Sequence, residues 1–455
     1  MKQWSPQQVA QAAGASLIAA PVTETGPERA TIDSRLAGPG ALFIGLRGAN
    51  HDGARFAPAA IAAGAWGTLT TPEHAAAARE AGVVVLAATD PLAALQALAT
   101  AWRRELGAGG ARVIGVTGST GKTSTKDLLR AILDPQVATI ASRANFNTEI
   151  GVPLEILSAP AGTQVLVLEM GMRGVGQIAE LAAIGEPDVA VIVSVGPVHL
   201  ELLGTVQRVA AAKAELIAGL APGATAVIPA GEPLLDPHRR SDVATVTFGP
   251  GGDVRYAHQD DKRVVIDAEG DSIELEVPFT QAHLRIDLLA AVAAARAVGV
   301  TPSGRVRLAL TAGRGDTVAL AGGITVIDGC YNANPMSMRA ALSDLAATAA
   351  RSGATRRVAV LGDMLELGPA EARYHEEIGP VAEAAGVDLL VTVGPRAAAI
   401  GTRFAGETVV AADADEAAAV VPGLLSSGDL VLVKGSLGVG LRRLCDALGV
   451  EAGSA

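Results

Sequence analysis

Cysteine is nearly absent: Cys330 and Cys445 are the only two in 455 residues. That excludes a disulfide framework and a CxxC zinc site, and it fits a reducing, cytoplasmic compartment. Aromatic residues make up only 3%, so helix–sheet packing has to rest on Ala, Val, Leu and Ile. Positive charge is in deficit, with 36 Lys and Arg against 47 Asp and Glu and a net charge of −11. A nucleic-acid surface wants basic patches, so that class of partner is not expected. Phosphorylated ligands stay open, because glycine loops hold them through backbone N–H groups. No uninterrupted apolar run reaches the roughly 18 residues of a membrane span. The apolar segment 12–22, with one lysine and glutamines around it, makes a poor secretory signal. Ser5-Pro6-Gln7-Gln8 reads instead as a capped helix start.

What is present is length, apolar content and glycine. The length suggests about three domains. A hydrophobic fraction of 49% supplies several cores, and 53 glycines imply many turns and βα junctions. The most informative stretch is 112–125, RVIGVTGSTGKTST. Val113 to Val116 is a short apolar run of the buried parallel-strand type. A glycine-punctuated turn follows, and Lys122-Thr123 opens an amphipathic helix with Leu128, Leu129, Ile132 and Leu133 on one face. Thr117, Gly118, Ser119, Thr120 and Gly121, with Lys122, Thr123 and Ser124 at the helix start, form a phosphate cradle. Its glycines permit close backbone approach, and the helix N-terminus adds partial positive charge. Lys122 is expected to reach the β/γ-phosphates and the Thr123 hydroxyl to ligate Mg²⁺. The strict pattern G-x-x-x-x-G-K-[ST] is missed by one position, since the first glycine is Gly115 and Val116 stands in its place.

The chain divides into α/β units at 1–88, 89–313 and 314–455. The first carries a strand at 42–46; its Asp33-Ser34-Arg35, taken alone, reads as a capped turn with a solvated arginine. A linking helix at 91–106 ends in a glycine-rich break at 107–110. From there to 313 strands and helices alternate, which implies a mostly parallel, doubly wound sheet. Its strands fall at 165–168 and 189–195, its helices at 206–220 and 282–298, and a β-rich insertion at 254–277. A Rossmann-like unit closes the chain, with strands at 324–327, 358–361, 389–393 and 430–433.

Ligands of such sheets bind beyond the strand carboxyl ends. Glu169 ends one strand and His199 follows the Gly196-Pro197 turn after the next, so both fall on the rim of the phosphate cradle. Hydroxyl and carboxylate oxygens suit Mg²⁺. A histidine in such a turn is as often structural, and on the residues alone Lys213 reads as a solvated helical lysine. Tyr331, Asn332 and Asn334 can hydrogen-bond a polar ligand, or belong to a plain turn before the helix near Ser337. Arg314 can reach a γ-phosphate from the hinge.

With these motifs in place the chain resembles the Mur ligase family, in the branch that joins D-alanyl-D-alanine to UDP-N-acetylmuramoyl-tripeptide. Residues 115–123 match its shifted phosphate loop. Residues 145–153, Glu169-Met170-Gly171 and His199-Leu200 are similar to its central motifs. Lys213-Ala214-Glu215 matches the segment of its carbamylated lysine. Residues 331–335, 361–368 and 433–436 resemble the branch-specific loops, and Asp33-Ser34-Arg35 with the Gly48 region its UDP-binding domain. The resemblance implies a monomeric ligase that uses ATP and Mg²⁺ and passes through an acyl phosphate. It implies catalytic roles for Lys122, Glu169, His199, Lys213 and Arg314, and metal binding by Thr123, Glu169, His199 and Lys213. It adds Asp287 and Arg314 to the phosphate loop as nucleotide contacts. It assigns Ser34, Arg35, Gly48, Asn50, Asn147, Tyr331, Asn332 and Asn334 to the two substrates. Three positions depart from the family pattern. Asp287 stands for the usual Asn near adenine, Gly329 for a second Asp near the ribose, and Leu437 for an Arg. Two rival readings are a folylpolyglutamate-type ligase and a catalytically weak nucleotide-binding paralogue. The Asp33-Ser34-Arg35 domain opposes the first; Asp287 and Gly329 leave the second open.

Overall fold

The computed structural model describes residues 1–21, 25–48, 51–143, 145–311 and 313–450; Asn50 lies outside them. Short apolar runs bounded by glycine become buried strands, and these assemble into three sheets. The first holds β1 (Ser16–Ala19), β2 (Arg29–Thr31), β3 (Ala41–Ile44), β4 (Gly67–Thr70) and β5 (Val84–Ala87) in the order β1-β5-β4-β3-β2. All pairs are parallel except β1 with β5.

The central sheet has ten strands. They are β6 (Arg112–Thr117), β7 (Thr139–Ala141), β8 (Val165–Glu169), β9 (Val189–Ile192), β10 (Thr225–Pro229), β11 (Ala244–Phe248), β12 (Val254–Gln259), β13 (Arg263–Ala268), β14 (Asp271–Glu276) and β15 (Gly304–Arg305). The order is β15-β14-β13-β12-β11-β10-β9-β6-β8-β7. Parallel pairing runs from β7 to β12, and β12–β13–β14 form an antiparallel meander where the β-rich insertion falls.

The third sheet comprises β16 (Asp316–Ala319), β17 (Thr325–Gly329), β18 (Arg356–Gly362), β19 (Leu389–Val393), β20 (Glu407–Ala411) and β21 (Asp429–Lys434). Its order is β16-β17-β21-β18-β19-β20, parallel from β17 onward with β16 antiparallel at the edge.

The linking helix runs from Pro91 to Ala108, with the Asp90 carboxylate capping the Leu92 and Ala93 N–H groups. It passes through Gly107 and stops at Gly109, because a left-handed Gly110 (φ +95°) ends it. This helix joins two sheets into one core. Buried Leu42, Ile44, Leu69 and Leu86 of the first sheet are continuous, through Leu95, Leu98 and Trp102, with Leu166, Leu168 and Ile192 of the central one. Trp102 is fully buried, donates its indole N–H to the Ala159 carbonyl, and meets Trp4 edge-on at 5.2 Å. The third sheet has separate cores on its two faces. Cys330 and Cys445 lie in one of them as free thiols. Among the described residues no helix is long and apolar enough to cross a membrane.

Candidate active site

β6 lies between β8 and β9, with the earlier crossovers on one side and the later on the other. A crevice opens at such a point beyond the carboxyl ends, and the phosphate loop fills it. Gly121 has φ +80° and starts the helix Lys122–Leu133. A Cβ on Gly118 would stand 2.9 Å from the Thr120 carbonyl and 3.2 Å from the Ser194 nitrogen. Glycine is therefore required at both positions. The loop is stitched to the segment after β9: Ser119 N–H donates to the Ser194 carbonyl at 2.9 Å, Thr120 N–H to Ser194 Oγ at 2.9 Å, and Gly196 N–H to Ser119 Oγ at 2.9 Å.

Glu169 ends β8 with its carboxylate buried. Oε1 accepts from Asn147 Nδ2 at 2.9 Å, while Oε2 has no partner among the described residues. The Thr123 hydroxyl is likewise buried and, among the described residues, unpartnered. Two orphaned hard oxygens beside a phosphate loop fit a Mg²⁺ ion. Lys122 donates to the Gly118 carbonyl at 2.8 Å, and burial holds its pKa below the ordinary lysine range.

Lys213 is not the solvated lysine its sequence context suggests: it is 2% exposed. The helix Val206–Ala218 packs on β6 and β9, and Val209, Lys213 and Leu216 share its buried stripe. Burial first, and the neighbouring Lys122 charge second, hold its amine well below the usual range.

His199 sits at φ +53°, a left-handed conformation rare outside glycine. Its ring Nδ1 is bonded to the carboxylate of Glu366, itself at φ +64°. Burial outweighs that partner and lowers the imidazole pKa. The structure thus gives His199 a bridge to the third sheet's unit.

The opposite wall belongs to that unit. A cleft of about 1150 Å³ is lined by Ser119–Lys122, Glu169 and His199 on one side and by Arg314, Tyr331, Asn332, Asn334, Lys434 and Ser436 on the other. The Arg314 guanidinium lies 4.0 Å over the Tyr331 ring. Lys434 donates to the Asn332 carbonyl at 2.9 Å, and burial lowers its pKa to about 8. Asn334 caps the helix Pro335–Ser352 in a reciprocal box with Ser337, and its Nδ2 reaches the Ser119 carbonyl at 3.5 Å. His283 Nδ1 lies 2.8 Å from Asp344 Oδ2, an ion pair rather than an aligned hydrogen bond.

Asp287, Gly329 and Leu437 all line the cleft. Ser34, Arg35 and Gly48 do not. They follow β2 and β3 on the carboxyl rim of the first sheet, where Arg35 forms a fork on Asp33, with Nη2–Oδ2 at 2.6 Å. Sequence reasoning did not single out Glu366, Asp344 or Ser194. The first lies within a quoted loop; the other two carry no motif.

The family model described as Mur ligase middle domain matches residues 116–295, Mur ligase, glutamate ligase domain matches 313–437, and Mur ligase family, catalytic domain matches 29–103. The UDP-N-acetylmuramoyl-tripeptide–D-alanyl-D-alanine ligase of Bacillus subtilis is 35% identical, with 89% of each chain covered. A crystal structure of MurF from Acinetobacter baumannii superposes with a TM-score of 0.85 at 28% identity, covering 98% of this chain and 99% of that one. MurF ligase from Thermotoga maritima in complex with ADP gives 0.78 at 27% identity, covering 92% and 96%.

Proposed function

The chain belongs to the Mur ligase family, and from that premise we propose that it joins D-alanyl-D-alanine to UDP-N-acetylmuramoyl-tripeptide in an ATP-dependent ligation. One observation carries the reading: a single cleft in which the phosphate loop faces Tyr331, Asn332 and Asn334 across the domain boundary.

A carboxylate is a poor electrophile. Transfer of the ATP γ-phosphoryl group to the tripeptide carboxylate gives an acyl phosphate and ADP. The dipeptide amine then attacks the acyl carbon, and the tetrahedral intermediate expels phosphate to leave the amide. Lys122 and Arg314 supply positive charge to the transferring phosphoryl group. Thr123 and Glu169 would hold Mg²⁺ through the two orphaned oxygens. When bound there, the ion neutralises charge on phosphate oxygens. Lys213 is read as the residue that becomes a carbamate. Only a neutral amine attacks CO₂, and burial favours that form. Asn147 orients the Glu169 carboxylate. Closure of the third domain on the central one keeps water from the acyl phosphate. The rim bearing Ser34, Arg35 and Gly48 is assigned to the UDP end of the substrate.

The test is phosphate release with each substrate omitted in turn. Turnover is expected only with both present; full-rate release with neither would make the protein a plain nucleotide hydrolase.

A further inference from the structure

The cleft extends past Gly121 along the helix Ala282–Ala297. On that flank Leu284 and Leu310 provide apolar walls, and Asp287 is set among them. Asp287 is 5% exposed, and its Oδ2 has no hydrogen-bond partner among the described residues. Its Oδ1 lies so close to the phosphate loop that a Cβ on Gly121 would stand 2.5 Å from it. A buried carboxyl oxygen without a partner is costly unless a ligand completes it. Apolar walls with one polar group between them suit a flat heterocycle that presents a polar edge.

We propose that Asp287 reads the purine base of the nucleotide as a neutral carboxylic acid, donating its O–H to a ring nitrogen and accepting the exocyclic N–H of adenine on its carbonyl. The proposal rests on the ligase reading above, which supplies the nucleotide. A protonated carboxyl offers one donor and one acceptor, the complement of the adenine N7 and N6 pair. An ionised carboxylate offers acceptors only. It would repel the ring nitrogen of adenine and instead suit the adjacent N–H groups of guanine.

The surroundings favour the neutral form. Burial pushes the Asp287 carboxyl up to about 7, against the pull of His283. His283 is already engaged by Asp344 of the helix Pro335–Ser352. Arg285 Nη2 is taken by the Asp260, Asp261 and Phe279 carbonyls, while its Nη1 is buried without a partner among the described residues. From the helix Lys122–Leu133, Lys122 turns to Gly118, and Lys126 pairs with Asp127 at 2.8 Å. β12 contributes Arg255, which is paired with Asp267, together with His258 and Tyr256, whose hydroxyl donates to the Arg285 carbonyl at 2.7 Å. β9, β10 and β11 carry no ionisable side chain.

The experiment measures the Kd of ATP and of GTP between about pH 6 and pH 8.5, for the full chain and for Asp287→Asn. The two nucleotides share one triphosphate, so its own titration cancels in their ratio. The native chain is expected to prefer ATP at low pH and to lose that preference by about tenfold as the neutral fraction falls. Asp287→Asn keeps the donor–acceptor pair at every pH and should hold a constant ratio. A slope that survives in Asp287→Asn belongs to His283 and overturns the role of Asp287. So does a flat ratio in a native chain that binds ATP normally. Binding of neither nucleotide at any pH overturns the ligase reading itself, and this proposal with it.

Discussion

Lys122, half-buried, and Lys213, fully buried, lie beside the phosphate loop, and each loses part of its affinity for a proton there. Their tasks differ. Lys122→Ala removes charge from the phosphoryl group and is expected to abolish turnover. A fall of less than about tenfold, or 1.4 kcal/mol of barrier, would put Lys122 away from the chemistry. Lys213→Ala should lose most activity while keeping its fold, and short carboxylic acids should restore part of it by supplying oxygens. Near-native turnover in Lys213→Ala would refute the carbamate. Asp287 yields a stability prediction. Its folded pKa of about 7 stands above the ordinary aspartate value of 3.8. The stability it contributes is complete below about pH 4 and is lost as pH rises through 7. Without nucleotide, the melting temperature of Asp287→Asn relative to the native chain should therefore climb from pH 5 to pH 8. At this scale the sequence was partly legible. Asp287 could be seen as a departure from a pattern, but its orphaned oxygen could not. Lys213 read as solvated because alanines on either side hide which face of the helix meets the sheet.

The helix Lys122–Leu133 does more than present its N-terminus. One turn beyond Thr123, the buried pair Lys126–Asp127 receives the chain leaving the central domain. Thr311 donates its N–H to Asp127 Oδ2 at 2.9 Å and its hydroxyl to the same oxygen at 3.0 Å. Arg314 follows three residues later, so its position is referred to the helix that holds Lys122. Thr311→Val should lower kcat with little change in the KM for ATP, and Thr311→Ser should recover it; equal effects on both constants would argue against the tether. Gly121→Ala meets three obstacles at once, φ +80°, the Asp287 carboxyl and the Val193 Cγ1 methyl. It should cost about 1–3 kcal/mol in a denaturant titration. Apolar runs and glycine punctuation place β3, β6, β8, β9, the β12–β14 insertion, β17, β18, β19 and β21. They do not place β1, β2, β4, β5, β7, β10, β11, β15, β16 and β20, because two to five residues are too short for a period to show. The tether was equally invisible, since its partners are 184 residues apart.

Across the whole molecule, the first two sheets share a core through the helix Pro91–Ala108, while the third has its own cores and meets the shared one through Tyr374. Motion should therefore separate the third unit from a rigid pair. The composition pointed to three α/β units, and β–α alternation to parallel sheets. Which two would fuse could not be read, because it depends on Trp102 finding Trp4 across nearly a hundred residues. Contacts between the moving parts include polar links, Asn334 to Ser119, His199 and Arg173 to Glu366, and His283 to Asp344, together with apolar packing by Met336 against Gly196 and by Tyr374. Glu366→Gln should loosen them, seen as a larger radius of gyration in solution scattering that returns to the native value with substrates bound. These links also govern timing. Parting of these links widens the cleft that the phosphate loop lines, and we predict that this opening step precedes nucleotide entry. The observed association rate should climb with nucleotide concentration and then level off at the rate of opening. Added salt, which screens the His283–Asp344 ion pair, should raise that plateau.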